Sequence, residues 1–149
     1  MGGGKMGLMD FTKGSVSIST EKDRYVLGEK VTVAVRLNVN TQFEARGFKA
    51  RLNAFRMVTR SHGMGRSRRS HTEKEILFTD EAELEKPGML KESAEYNVNF
   101  NIPKNPDLVS KPGFLGFIGG IKIEWEVEAK VDIEGGLDIN ASKKLNVTE

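Results

Sequence analysis

The segment from Ile121 to Ile133 constrains the fold more than any other part of this chain. Ile121, Ile123, Trp125, Val127, Ala129, Val131 and Ile133 alternate with Lys122, Glu124, Glu126, Glu128, Lys130 and Asp132. A helix would scatter the apolar side chains around its circumference, whereas a strand, repeating every second residue, gathers them on one face. The segment therefore reads as a β-strand with one dry and one wet side. The same alternation runs through Val31, Val33, Val35, Leu37 and Val39, separated by Thr32, Ala34, Arg36 and Asn38. It appears again in Ala94, Tyr96, Val98, Phe100 and Ile102, where Pro103 closes the run because proline cannot donate to a ladder.

Between Phe43 and Val58 the phase slips. Phe43 and Ala45 are apolar at odd positions, then Phe48, Ala50, Leu52 and Ala54 at even ones, with Gly47 at the switch. One extra residue there, a β-bulge, would bring the apolar side back to the core after a bend. Shorter candidates are Val16 with Ile18, Glu75 to Leu84, and Ile139 to Val147, which makes about seven or eight strands. Gly28, Pro87-Gly88, Lys104-Asn105-Pro106-Asp107 and Gly135-Gly136 supply the residues that turns need. No helical period stands out and no internal repeat is present. Half-wet strands joined by turns, without crossover helices, imply antiparallel sheets packed face to face.

At 149 residues the chain is of ordinary size for one domain. Residues 1–14 read as a flexible leader and residues 15–149 as a single β-sandwich domain. Met1-Gly2-Gly3-Gly4-Lys5 begins like a myristoylation signal, but Met6 stands where Ser or Thr is required. No apolar run is long enough for a transmembrane segment and the N-terminus lacks the basic-then-apolar layout of a signal peptide, so a cytoplasmic location is expected. The absence of cysteine excludes disulfides, a thiolate nucleophile and cysteine-ligated metals. A net charge of +2 gives no global pull toward nucleic acid or anionic lipid.

Catalysis has little to work with. His62 and His71 are the only histidines, both flank one basic loop, and neither a Gly-x-Ser-x-Gly elbow nor a His-Glu-x-x-His pair occurs. The expectation is a protein that is not an enzyme and needs no cofactor or metal. Glu124, Glu126 and Glu128, spaced roughly 6.6 Å apart along one strand face, are too open for a catalytic pair and read as a wet face balanced by neighbouring cations. The loop holding Arg60, Arg66, Arg68 and Arg69 is basic without interleaved acids. Guanidinium groups there suit phosphate or carboxylate, so the loop is either an anion site or a solvated hairpin loop. It lacks aromatic residues for base stacking, which argues against nucleic acid as the main partner. Phe114, Leu115, Phe117 and Ile118 lie in a glycine-rich connection, Pro112 to Gly120, where a polar loop would be expected. Either this segment folds over the open end of the sandwich or it offers these four residues to a partner or a membrane interface.

Several segments together carry a resemblance. They are Tyr25-Val26-Leu27-Gly28-Glu29-Lys30-Val31, Ala45-Arg46-Gly47-Phe48-Lys49-Ala50-Arg51-Leu52, Lys86-Pro87-Gly88, Tyr96 to Pro103, Ile123 to Ala129, and Lys143-Lys144-Leu145-Asn146-Val147. In this order the chain resembles the arrestin fold from about Ser15 to Val147, in particular microbial arrestin-like proteins that include a sporulation-control family. The resemblance implies an all-β, antiparallel, immunoglobulin-like or arrestin-like β-sandwich. It also implies a non-enzymatic protein-binding adaptor or scaffold similar to an arrestin N-type domain, with a protein partner and room for a homo-oligomer. Arrestins usually pair two such sandwiches, so a release mechanism between domains does not follow for a chain read as one. The alternative is an anion- or nucleic-acid-binding domain using the arginine-rich loop 60–71.

Overall fold

The computed structural model describes residues 13–63, 65, 69–111, 120–136 and 138–149. Nine strands appear among them: β1 (Gly14–Thr20), β2 (Arg24–Val26), β3 (Lys30–Val39), β4 (Phe43–His62), β5 (Arg69–Glu85), β6 (Gly88–Leu90), β7 (Ala94–Asn101), β8 (Glu124–Ile133) and β9 (Ile139–Thr148). A single 3-10 turn at Pro106–Leu108 is capped by the Asn105 side chain. The leader expected over residues 1–14 lies outside the described residues except for Lys13 and Gly14, and Gly14 already belongs to β1.

Two sheets form the sandwich. One has the order β1-β3-β7, the other β2-β9-β8-β4-β5, with β6 also on β4. The alternation that defines each strand is the alternation of burial. Val31, Val33, Val35 and Leu37 of β3 face Trp125, Val127, Ala129, Val131 and Ile133 of β8 across one core, joined by Phe48, Ala50, Leu52 and Ala54 of β4. Trp125 is 2% exposed and tilts against Phe78 with ring centroids 5.9 Å apart. Its indole Nε1–H donates to the Leu108 carbonyl at 2.9 Å, so the polar end of a large buried side chain is satisfied by the turn below it.

The expected bulge is present. Against β8 the register steps between Ala45 and Gly47, and Gly47 takes a φ of +155°, a conformation that side-chain-bearing residues rarely adopt.

Four sequence expectations change. Ile121 is not part of β8: it makes an isolated bridge with Lys111 and is exposed, and the strand begins at Glu124. The count exceeds the expected seven or eight because β2 and β6, with three residues each, are too short to show a period. β2 also runs parallel to β9, the one parallel pairing in an otherwise antiparallel set among the described residues. Finally, Pro87-Gly88 does not reverse the chain. Glu85 faces Phe48, and Gly88, Met89 and Leu90 face Ala45, Glu44 and Phe43 in the same running register, so β5 and β6 are one line along β4 interrupted at Lys86-Pro87. Proline breaks the ladder because it has no N–H to give, and on an outer strand the break is tolerated.

A candidate docking site at one end of the sandwich

β4 is much longer than the sheet that holds it. Its register with β8 ends at Phe55 opposite Glu124, yet it continues to His62 paired only with β5. Residues 56–62 and 69–75 therefore form a two-stranded ribbon that runs beyond the sheet by about 24 Å, at about 3.4 Å per residue. Phe55 opposite Ile76 and Met57 opposite Lys74 share a face of it, and the Lys74 ammonium sits over the Phe55 ring at 4.2 Å. Arg56 pairs with Glu75 on the other face. Leu77 is the extra residue of a bulge, where the register steps between Ala54 and Phe55. The result is a small apolar patch open to water: Met57 is 49%, Ile76 46% and Leu77 38% exposed.

The same end of the sandwich holds the roots of the glycine-rich segment. Lys111 N–H donates to the Ile121 carbonyl at 2.8 Å and Ile121 N–H to the Lys111 carbonyl at 3.0 Å, so residues 111 and 121 are clamped together just before β8 begins. Below the clamp, Ser110 Oγ accepts from Ile123 N–H at 2.9 Å and donates to the Ile123 carbonyl at 3.1 Å. Beside it, β2 and the last residues of β9 border a groove of about 620 Å³ lined by Arg24, Lys122, Glu124 and Lys144. Phe114, Leu115, Phe117 and Ile118 themselves lie outside the described residues.

The basic loop is shorter than its sequence implies. Arg60 and Arg69 belong to strands, Arg60 opposite His71 and Arg69 opposite His62, while Arg66 and Arg68 lie outside the described residues. The two histidines thus stand on opposite strands of one hairpin. Among the described residues no group of three or more His, Asp or Glu side chains is placed to hold a metal. Nor does the glutamate trio form a reactive cluster. Glu124 pairs with Lys144 at 3.6 Å, Glu126 with Lys74 at 3.1 Å, and Glu128 accepts from the Asn53 amide at 3.5 Å. Asn53, the one buried polar residue among those described, is held by Thr79, whose hydroxyl donates to Oδ1 at 2.7 Å. These contacts make the face a network of satisfied charges spanning β9, β8, β4 and β5.

The sequence reading passed over Met57, Ile76 and Leu77. Their signal is present: Ala54, Phe55, Met57 and Val58 put apolar residues on both faces of β4, and Ile76-Leu77-Phe78 breaks alternation in β5. Both irregularities fall where the strand leaves its sheet.

Two sheets packed face to face, one of three strands and one of six among the described residues, make an arrestin-type β-sandwich. The chain belongs to the arrestin family, since the family model described as "Arrestin (or S-antigen), C-terminal domain" matches residues 12–148. The sequence resemblance pointed to the N-type domain, whereas the matching family model is that of the C-terminal one. Among solved structures the chain is similar to Spo0M, a sporulation control protein from Bacillus subtilis, with a TM-score of 0.64 and 17% identity. The match covers 92% of this chain and 50% of that one, so this chain spans half the length of that structure, and at such identity the likeness is one of fold. No curated protein matches the chain. The fold is of a typically non-catalytic, adaptor or scaffold kind. Among the described residues no helix is long and apolar enough to cross a membrane.

Proposed function

We propose that this chain is a non-enzymatic protein-binding domain, an adaptor or scaffold of the cytoplasm, that docks its partner at the end of the sandwich from which the β4–β5 ribbon projects. The observation that carries the reading is the joint exposure of Met57, Ile76 and Leu77 at the root of a ribbon that, among the described residues, contributes nothing to the core beyond Phe55. Apolar side chains grouped on a projecting element supply contact area at little cost to the fold. The proposed surface extends to Phe114, Leu115, Phe117 and Ile118, in the segment rooted at the Lys111–Ile121 clamp.

The test is a Met57→Ser, Ile76→Thr double variant, compared with the parent by cross-linking in the native cell. Its melting temperature should stay within about 2 °C of the parent, because both side chains are already half in water. Cross-linked partners should be lost. Retention of every partner by a folded double variant would overturn the reading.

A second reading rests on the register that sets Arg60 beside His71 and Arg69 beside His62, which gathers the basic residues at the ribbon's end. Arg60, Arg66, Arg68 and Arg69 would then bind an anion, phosphate or nucleic acid. Binding of that kind falls steeply with salt, whereas docking on Met57 and Ile76 does not.

A further inference from the structure

The two lateral sides of the sandwich differ. On one, β1 packs against β9 and β8 and the sheets close on each other. On the other, β5 and β7 are the outer strands of their sheets, and among the described residues neither makes a backbone hydrogen bond beyond its own ladder. The gap between them is bridged by the Tyr96 hydroxyl, which donates to Glu85 at 2.6 Å. Phe78, Ala82 and Leu84 of β5 and Tyr96 and Val98 of β7 touch the core but stay only partly buried along this seam.

An open edge is a template for another strand, and proteins normally blunt it with charges and bulges. β5 has both, in an arrangement that leaves a window. The register against β4 steps at Leu77 and again at Leu84, so Phe78–Glu83 is the regular stretch between two bulges, the length of an ordinary short strand. Between Glu73 and Glu85 the strand carries Glu73, Glu75, Asp80, Glu81, Glu83 and Glu85 against Lys74 alone. Glu75 and Glu81 are engaged by Arg56 and Arg51, and Glu85 by Tyr96. Asp80 and Glu83, both exposed and both inside the window, have no cationic partner among the described residues. A second copy of the same strand would bring acid against acid, so the charge pattern selects against self-pairing and for a cationic guest.

We propose that the Phe78–Glu83 edge of β5 accepts an extended, lysine- or arginine-bearing segment of a partner protein as an added strand. Main-chain hydrogen bonds would supply the affinity. One cation of the guest would meet Glu83 on the outer face and another Asp80 on the inner face, where Asp80 lies opposite Leu52 between Phe78 and Ala82, and its inward apolar residues would cover Phe78, Ala82 and the seam above Val98. This proposal rests on the reading of the domain as a protein-binding module and gives that module a second, sequence-selective contact away from the ribbon.

The probe is a capped Lys-Val-Thr-Lys-Thr-Val peptide, titrated into the purified chain, which in antiparallel register sets its lysines opposite Glu83 and Asp80 and its valines opposite Ala82 and Phe78. Amide exchange within Phe78–Glu83 should slow on every second residue as the peptide binds. The affinity should drop at least about tenfold in Asp80→Lys, Glu83→Lys, with Asp80→Asn, Glu83→Gln as the milder pair should the first fail to fold. It should also drop when alternate peptide nitrogens are methylated, which removes donors and keeps charge. A methylated peptide that binds as well as the parent, or a charge-reversed chain that binds unchanged, overturns the proposal. The Met57→Ser, Ile76→Thr variant should bind the peptide normally, so peptide binding without cross-linked partners at the ribbon would sink only the ribbon reading. Ribbon partners without peptide binding would sink only the edge.

Discussion

Replacing Trp125 tests the assignment of inside and outside on which everything else depends. The side chain is buried against Phe78, and its Nε1–H is the described donor to the Leu108 carbonyl. Truncation to Ala removes the whole ring from a packed site and costs about 3–5 kcal/mol in comparable cores. Trp125→Phe keeps one aromatic ring but removes the pyrrole half of the indole with its N–H, and the buried carbonyl left without its donor alone accounts for a loss of about 1–3 kcal/mol. At about 2–4 °C per kcal/mol for a chain of this size, the expected falls in melting temperature are about 6–20 °C for Ala and about 2–12 °C for Phe. Trp125 is the only tryptophan, so its fluorescence reports unfolding in the parent but not in the variants. Far-UV circular dichroism in heat and urea serves all three, and an unchanged urea slope would show that the unfolded reference is the same. An Ala variant that melts within about 2 °C of the parent would mean that the face is not the core.

Tyr96 gives an alkaline test. Burial, and then the carboxylate of Glu85 that accepts the hydroxyl's hydrogen bond, hold the phenol well above its ordinary range. The folded state therefore keeps the proton longer than the unfolded one. The resulting stability is complete below about pH 10 and is lost as pH rises from there toward the folded value. Tyr96→Phe should abolish that alkaline decline, and urea midpoints at about pH 8 and about pH 11 would show it; a parent and variant that decline in parallel would refute the linkage. Gly47→Ala should cost about 1–3 kcal/mol through backbone strain alone, since a Cβ there meets nothing within 4 Å. A thermal melt equal to the parent's would show that the bulge relaxes.

How far the fold could be read depended on period. β3, β7 and β8 announced themselves because each sets one face against a single deep core, and Gly47 marked its bulge because phase is lost wherever an extra residue enters a strand. The three-residue strands were silent, since three residues cannot establish a period, and Arg24–Val26 pairs with a strand over a hundred residues away. Pro87-Gly88 misled because the same dipeptide that reverses a chain also interrupts an outer strand, and only the register distinguishes them. The proposed ribbon surface was less legible than the fold. Composition drew the eye to arginines and to a glycine-rich apolar run, whereas the exposure of Met57 and Ile76 follows from where β8 stops, which is a property of a different strand.

The parallel pairing of β2 with β9 has a consequence for synthesis. Tyr25 is buried only when Arg24, Tyr25 and Val26 lie beside Asn146, Val147 and Thr148, with Leu27 N–H donating to the Thr148 carbonyl and Asn146 N–H to the Asp23 carbonyl, both at 2.9 Å. On a ribosome, β2 emerges early and must wait until the last strand of the sandwich has left the exit tunnel. For most of that interval β1 and β3 can pair but the larger sheet lacks β8 and β9, and the half-made chain exposes Phe48, Ala50 and Leu52 of β4 to the cell. Long-range closure of this kind is slow. The nascent domain thus keeps core surface uncovered up to its final strand, and a stop codon placed even a few residues early in β9 should be read out as degradation and not as a weaker binder.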